Sequence, residues 1–250
     1  YNIWPSEFSL DAYKLVFVSG DIPQAYLITV GTTIVGTFFS MVFTCGAAYA
    51  MSVKNFKSRG VLALFIYFTM LFNGGLVANY LLTTKFLHLQ NNILVLLLPS
   101  FCNAWNILLM RNFFNGIPAS LAESAKIDGA NDITILIKII IPISLPGIAT
   151  IGLFYALTYW NEWYKCLLYI DSSHSQYYTL QYLIQQILRQ VNYAANQPAE
   201  AVGLNSLTLP TYAYRMATII VAIGPIILLY PFLQEPTFHF HISYNTDIHY

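Results

Sequence analysis

Aromatic, amide and carboxylate side chains gather in one segment of the sequence, between residues 153 and 165. Tyr155, Tyr159 and Glu162 are spaced i, i+4 and i+7, so they share one face of a helix. Rings can stack on the apolar face of a sugar while polar groups bond its hydroxyls, so this face predicts a carbohydrate-binding cavity. The predicted lining comprises Tyr155, Tyr159, Trp160, Asn161 and Glu162, with Asn103 and Asn106 from an earlier segment and Asn73 and Asn79 as further candidates.

Two plainer interpretations of this segment stay open. Trp and Tyr gather at membrane–water interfaces in any case. Glu162 can also pair with Lys165, one turn on along the same helix. Catalysis is not predicted, because no His or Asp lies in the same segment to act beside Glu162. We therefore expect no enzyme activity from this chain and no catalytic residue.

A second informative segment runs from residue 115 to residue 132. Pro118 suits the first turn of a helix, and Gly129 suits the left-handed stop after its end. The helix between them has about three turns, which is too short to cross a membrane. Asp132 is expected to cap a second helix, and Pro142 and Pro146 are expected to bend the chain after it.

The composition indicates the environment in which these segments lie. Of the 250 residues, 57% are hydrophobic and only 9% are charged, against about 25% charged in an ordinary soluble domain. Eleven Lys and Arg offset eleven Asp and Glu, so no net charge attracts nucleic acid. Three cysteines in apolar stretches are expected to be small buried residues without metal. The sequence predicts an all-α, polytopic membrane protein.

Five segments have the length and apolar character of a membrane span. Polar residues in the third and fourth segments are costly against lipid, so these residues should face other helices or a wet cavity. The predicted spans are residues 26–52, 61–82, 93–114, 143–170 and 216–233.

Basic residues predict the orientation of these spans, because they concentrate in cytoplasmic loops. Lys and Arg cluster in segments 53–60 and 115–141, which we therefore place in the cytoplasm. Residues 1–25 and the loop 171–214 are then external. An external start without a signal peptide predicts a further span upstream, which would make six. Segment 235–250 is an atypical tail without Lys or Arg, and its His239 and His241 lack a third metal ligand.

Residues in the short cytoplasmic segment carry a family resemblance. Glu123-Ser124-Ala125, then Asp128-Gly129-Ala130, then Ile139 and Pro142 closely resemble the EAA loop of ABC importer permeases. Ser124 and Ile141 replace the Ala and Leu of that pattern. Further matches at 68–77, 98–114 and 215–225 resemble the MalG-like carbohydrate-uptake branch, closest to its LplC/YtcP-like subgroup. The resemblance covers residues 5 to 234 and makes the chain a single transmembrane domain.

This resemblance implies the fold, the partners and the roles of the loop residues. The expected fold is the MetI-like transmembrane domain of a type I ABC importer in the bacterial cytoplasmic membrane. Expected partners are a second permease, two ATPase subunits that use ATP and Mg, and an external solute-binding protein; this chain would bind no cofactor. The cargo would be an oligosaccharide or polysaccharide fragment. The residues implied to couple to the ATPase are Glu123, Ser124, Ala125, Asp128, Gly129, Ala130 and Pro142.

Two alternatives stay open at this stage. The short segment could be an amphipathic helix that merely lies on the membrane surface. The whole chain could also be a secondary transporter of a polar solute, driven by an ion gradient. That class favours paired intramembrane charges in two repeated halves, whereas this sequence shows one intramembrane carboxylate and no repeat.

Overall fold

The computed structural model describes residues 21–196 together with Met216, Ala217 and Ile220. The described chain is helical and contains no strand, as the sequence predicts. The helices are α1 Asp21–Ser52, α2 Arg59–Leu71, α3 Gly75–Leu81 with a π-helical continuation Leu82–Phe86, α4 Leu94–Leu97 with a 3-10 continuation Leu98–Ser100, α5 Ala104–Asn115, α6 Ala119–Ile127, α7 Asp132–Ile143, α8 Leu145–Trp160, α9 Tyr164–Tyr169, a 3-10 helix Ser172–Tyr177, and α10 Leu180–Asn196.

The predicted spans are less regular than the sequence indicates. Within the described residues, α1 alone is long and apolar enough to cross a membrane as one helix. Three bent helix pairs bring the number to four if each pair counts as one span. The predicted span 61–82 is wrong as a continuous helix, because α2 and α3 meet at 115°. The predicted span 93–114 bends by 48°, and α8 ends at Trp160 rather than at residue 170.

The sharpest break has a local cause between α2 and α3. Phe72 is extended, with φ −116° and ψ 115°, so the helix cannot continue through it. Gly75 then takes φ +79°, a conformation that glycine adopts without strain. The side chain of Asn73 accepts a hydrogen bond of 2.9 Å from the backbone N–H of Gly75. The Asn-Gly-Gly sequence therefore builds a turn inside an otherwise apolar stretch.

The core lies where α1 packs against α8 and α5. One side of α1 carries small or short polar residues at every fourth position, which forms a ridge along the helix. Small side chains let another helix approach closely. A Cβ atom at Gly36 would lie 2.5 Å from the ring of Tyr159, so only glycine fits there. The buried ridge consists of Thr32, Gly36, Ser40, Thr44 and Ala48.

The predicted loop regions fall partly within the described residues. Between 171 and 196 the chain forms the 3-10 helix Ser172–Tyr177 and α10, Leu180–Asn196, within the loop predicted to be external. Leu180 and Ile184 of α10 pack against Ile22 and Trp160, which fixes α10 to the start of α1 and the end of α8. The predicted tail 235–250, with His239 and His241, lies outside the described residues, as does most of the span 216–233.

Candidate functional site

The EAA-like segment folds as a short helix with a defined stop. The backbone N–H of Ala130 bonds the carbonyl of Ala125 at 2.9 Å, and that of Gly129 bonds the carbonyl of Lys126 at 3.1 Å. This pair of bonds is the Schellman motif, which needs a left-handed residue after the helix. Gly129 provides it with φ +83°. The predicted stop at Gly129 is confirmed.

Helix α7 begins immediately after this turn. Asn131 caps it, because the Asn131 side chain accepts a 2.8 Å bond from the backbone N–H of Thr134. The prediction that Asp132 caps the helix is thus wrong by one residue. Asp132 instead pairs with Lys126 at 2.9 Å, and Tyr49 of α1 donates to the same carboxylate at 3.4 Å. These contacts connect both sides of the turn to the end of α1.

The two faces of α6 differ in a way the sequence does not reveal. Ala125 and Ala130, which the family resemblance implies to couple to the ATPase, pack against the chain's own core together with Ala122. The outward face is exposed and of mixed polarity, which suits a transient protein contact. It comprises Glu123, Ser124, Asp128 and Gly129, with Leu121 at 43% exposure and Ile127 at 87%.

A groove separates α6 from the end of α1. Its volume is about 200 Å³, and its walls include Tyr49, Lys54, Glu123 and Lys126. Glu123 and Lys126 of α6 thus share this groove with Tyr49 at the end of α1.

Pro142 lies in the last turn of α7, ahead of the largest change of direction in this region. Helices α7 and α8 meet at 88° at Ser144, as the prolines at 142 and 146 predict. Gly147 then packs α8 closely onto α5, because a Cβ atom there would lie 2.6 Å from the ring of Phe113. The loop is therefore continuous, through one bend, with the helix that packs on α1.

The predicted sugar-binding face of α8 is buried in the subunit. Tyr155 and Tyr159 are each 1% exposed. The Tyr155 hydroxyl bonds Thr44 at 2.7 Å, and the Tyr159 hydroxyl bonds Ser40 at 3.0 Å. Both rings thus fill the contact between α8 and α1. The sequence analysis missed Ser40 and Thr44, although the four-residue spacing of small residues on α1 is visible in the sequence.

The same hydroxyls also serve the break between α4 and α5. Tyr155 accepts a 3.2 Å bond from the backbone N–H of Asn103, and Tyr159 donates to the carbonyl of Leu97 at 3.2 Å. A helix break leaves backbone groups unpaired, and these groups are expensive inside a membrane. The two tyrosines therefore satisfy backbone groups of the broken helix pair.

The remaining predicted cavity residues do not converge on one space. Trp160 is 6% exposed and contacts Tyr26 edge to face. The side chain of Asn161 donates back to the carbonyl of Leu157 at 2.9 Å. Asn103 caps α5 by accepting a bond from the backbone N–H of Asn106, which is itself buried. Sugar contact by these residues stays a prediction.

Glu162 forms an ion pair at the break between α8 and α9. Its Oε2 atom lies 2.6 Å from Nζ of Lys165, and its Oε1 atom accepts the backbone N–H of Lys165 at 2.9 Å. The two side chains are only 12% and 15% exposed. Lys165 also donates to the hydroxyl of Ser100 at 2.7 Å. The interpretation of Glu162 as a partner of Lys165 is confirmed.

A larger cavity, of about 430 Å³, lies between α3, the 3-10 turn Leu98–Ser100 and α9. Lys165 lines it, whereas Glu162 does not. Asn79, a candidate from the sequence, also lines it, so one of the predicted polar residues does reach a cavity. No group of three His, Cys, Asp or Glu side chains that could hold a metal occurs in the described part of the chain.

Comparisons with known proteins agree with this architecture. The family model described as "Binding-protein-dependent transport system inner membrane component" matches residues 40–235. The chain is 41% identical over 231 residues to the polygalacturonan/rhamnogalacturonan transport system permease protein YtcP of Bacillus subtilis, covering 92% of this chain and 79% of that protein. It is 36% identical over 236 residues to Protein LplC of the same organism, covering 94% and 78%.

A solved structure shows the same fold. It is the crystal structure of a bacterial ABC transporter involved in the import of the acidic polysaccharide alginate. The match has a TM-score of 0.81 at 32% sequence identity and covers 92% of this chain and 80% of that one. The helical arrangement described above is therefore that of an ABC importer membrane subunit.

Proposed function

Because the chain belongs to the family of binding-protein-dependent transport system inner membrane components, we propose that it is the membrane-spanning permease of an ATP-driven importer for an acidic oligosaccharide. The main support for this proposal is the 41% sequence identity, over 92% of the chain, to a polygalacturonan/rhamnogalacturonan permease. The alginate importer adds a second relative, whose cargo is an acidic polysaccharide. Both cargoes are chains of sugars that carry carboxylates.

The proposed assembly contains partners that supply what this chain lacks. A second permease completes the pathway, two ATPase subunits bind ATP and Mg, and an external binding protein delivers the sugar. The chain contains no G-x-x-x-x-G-K-[ST] phosphate loop, so the work of hydrolysis falls to the ATPases. Its own role is to change conformation as they close.

The proposed coupling element is α6 with the turn that follows it. Its outward face, with Glu123, Ser124 and Asp128, would dock on the ATPase, while Ala125 and Ala130 anchor it to the core. Gly129 holds the turn and Pro142 lies in the last turn of α7, before the bend into α8. A push on α6 would thus reach α8, whose tyrosines contact α1 and the α4–α5 break.

The test is uptake by the purified complex in proteoliposomes. ATP inside the vesicles should drive uptake of a galacturonate oligomer, and an ionophore that collapses ion gradients should leave uptake unchanged. If ATP drives no uptake, and the ionophore abolishes the uptake that an ion gradient supports, the proposal is contradicted and a secondary transporter is favoured.

Coupling is tested by Glu123→Arg, which reverses a charge on the outward face of α6. We expect the ATPase subunits to co-purify at a yield reduced at least fivefold, because the reversed charge disrupts the docking contact. The fold of the chain itself should be unaffected, because the Glu123 side chain is exposed. Lys57→Ala is the control, since Lys57 is exposed in the neighbouring loop 53–58 on the same predicted side. Equal ATPase recovery with both variants would exclude this docking face.

A further inference from the structure

The cavity between α3, the 3-10 turn and α9 has the size of a small-ligand site. Its volume is about 430 Å³, within the range typical of ligand pockets. Leucines and Pro99 supply most of the wall, and Asn79, Thr83 and Tyr164 add polar groups. Mainly apolar walls with a few polar groups suit a sugar, whose faces are apolar and whose edges carry hydroxyls.

One charged residue lines this cavity, and it is cationic. Lys165 is the single Lys, Arg, Asp or Glu among the described residues of the wall. Lys165 lines the cavity, whereas its ion-pair partner Glu162 does not. A positive charge in a mostly apolar wall attracts an anion more strongly than it would in water, because the surroundings screen it less. The cavity is therefore better suited to a ligand that carries negative charge than to a neutral one.

The ammonium group of Lys165 is held in place with a donor to spare. It donates to Oε2 of Glu162 at 2.6 Å and to Oγ of Ser100 at 2.7 Å. An ammonium has three N–H groups, so these two contacts leave one for a ligand. Glu162 has a second anchor of its own, since it also accepts the backbone N–H of Lys165. The Glu162 carboxylate, which does not line the cavity, thus holds the Lys165 ammonium group in position.

We propose that Lys165 binds a carboxylate of the transported sugar and selects acidic over neutral oligosaccharides. This inference rests on the proposed function and adds the residue that recognises the charge. Glu162 and Ser100 are positioning residues, which hold the ammonium at the wall without touching the sugar. Glu162 neutralises the charge of Lys165 while the cavity is empty, which lowers the cost of keeping a cation inside the membrane.

The test compares uptake of a galacturonate trimer with uptake of its methyl ester, which has the same shape without charge. Complexes carry either Lys165→Arg, or the paired change Glu162→Gln with Lys165→Gln. The paired change avoids leaving one buried charge without a partner. Phosphatidylcholine vesicles are used throughout, so that no anionic lipid headgroup competes for the cation.

We expect the Arg variant to keep at least half of the wild-type uptake of the acid. The paired Gln variant should lose uptake of the acid at least tenfold at saturating binding protein, while uptake of the ester and the yield of the assembled complex stay within twofold of wild type.

Two results would overturn the proposal. Equal loss of acid and ester uptake, or a lower yield of the assembled complex, would give the pair a structural role alone. Unchanged uptake of the acid in the paired variant would exclude contact with Lys165. A wild-type complex that shows no ATP-driven uptake of either sugar would instead overturn the proposed function, and this inference would fall with it.

Discussion

At the scale of single residues, Gly36 marks the closest approach of two helices. The ring of Tyr159 occupies the space that a side chain would need, with 2.5 Å between a Cβ atom and the ring. Gly36→Ala should therefore destabilise the protein by about 1–3 kcal/mol, because a filled contact must open or Tyr159 must move. Thermal unfolding of the purified chain in detergent measures this loss.

A matched control lies five residues earlier on the same helix. Gly31 has no atom within 4 Å of an added Cβ atom. Gly31→Ala should leave stability unchanged or raise it slightly, since alanine favours helix over glycine by up to about 1 kcal/mol. If both variants unfold at the same temperature, the packing of α1 on Tyr159 is not as described.

The residue types of the candidate site were visible in the sequence, but their partners were not. Glu162 and Lys165 lie three positions apart, and the predicted pair forms although Glu162 lies beyond the end of α8 and Lys165 lies in α9. Tyr155 and Tyr159 share a face as predicted, yet the face is buried against α1, 111 and 119 residues away from its hydroxyl partners in sequence. Sequence spacing defines a face of a helix and does not tell whether that face meets water, sugar or another helix.

At the scale of elements, the breaks in the helices carry most of the architecture. Prolines at 142 and 146 and the glycine at 129 give local signals, so the bend into α8 and the stop of α6 could be predicted. The 115° break between α2 and α3 could not, because the hydropathy pattern runs through it without interruption. The Asn73-Gly74-Gly75 sequence favours a turn at this point, but a hydropathy profile does not register it.

The break between α4 and α5 depends on hydroxyl groups from α8. Tyr159→Phe removes the bonds to Ser40 and to the carbonyl of Leu97 while it keeps the ring. We expect a loss of about 1 kcal/mol in stability, because a buried carbonyl and a buried hydroxyl each lose a partner. Thermal unfolding in detergent is again the measurement.

Tyr164→Phe serves as the control for that substitution. Tyr164 is 44% exposed, so its hydroxyl can turn to water when the chain is in detergent. A melting temperature lowered equally by both substitutions would show that the loss at Tyr159 does not come from its buried bonds.

At the scale of the whole molecule, the three cysteines report which surfaces the fold covers. Cys45 and Cys166 are 6% and 0% exposed, as the sequence predicts for small apolar residues. Cys102 is exposed at the break between α4 and α5, which corrects the prediction for that residue. A maleimide should therefore attach to one cysteine per folded chain, as read by intact-mass spectrometry.

Cys102→Ser should abolish that labelling. Labelling of all three cysteines before denaturation would mean that α1 and α9 are not packed as described. Labelling of all three after denaturation provides the reference for complete reaction.

The ridge of small residues on α1 has a consequence for how the chain is made. Ser40 and Thr44 enter the bilayer with α1, whereas Tyr155 and Tyr159 are synthesised more than a hundred residues later. During that interval the hydroxyls of Ser40 and Thr44 lack the tyrosine partners that they have in the folded chain, and the ring of Tyr159 is not yet present beside Gly36. Helix α1 is thus made well before α8, the helix on which its ridge of small residues packs. An interrupted nascent chain would expose this polar face in the membrane, and it is a feature by which a cell could distinguish an unfinished permease from a finished one.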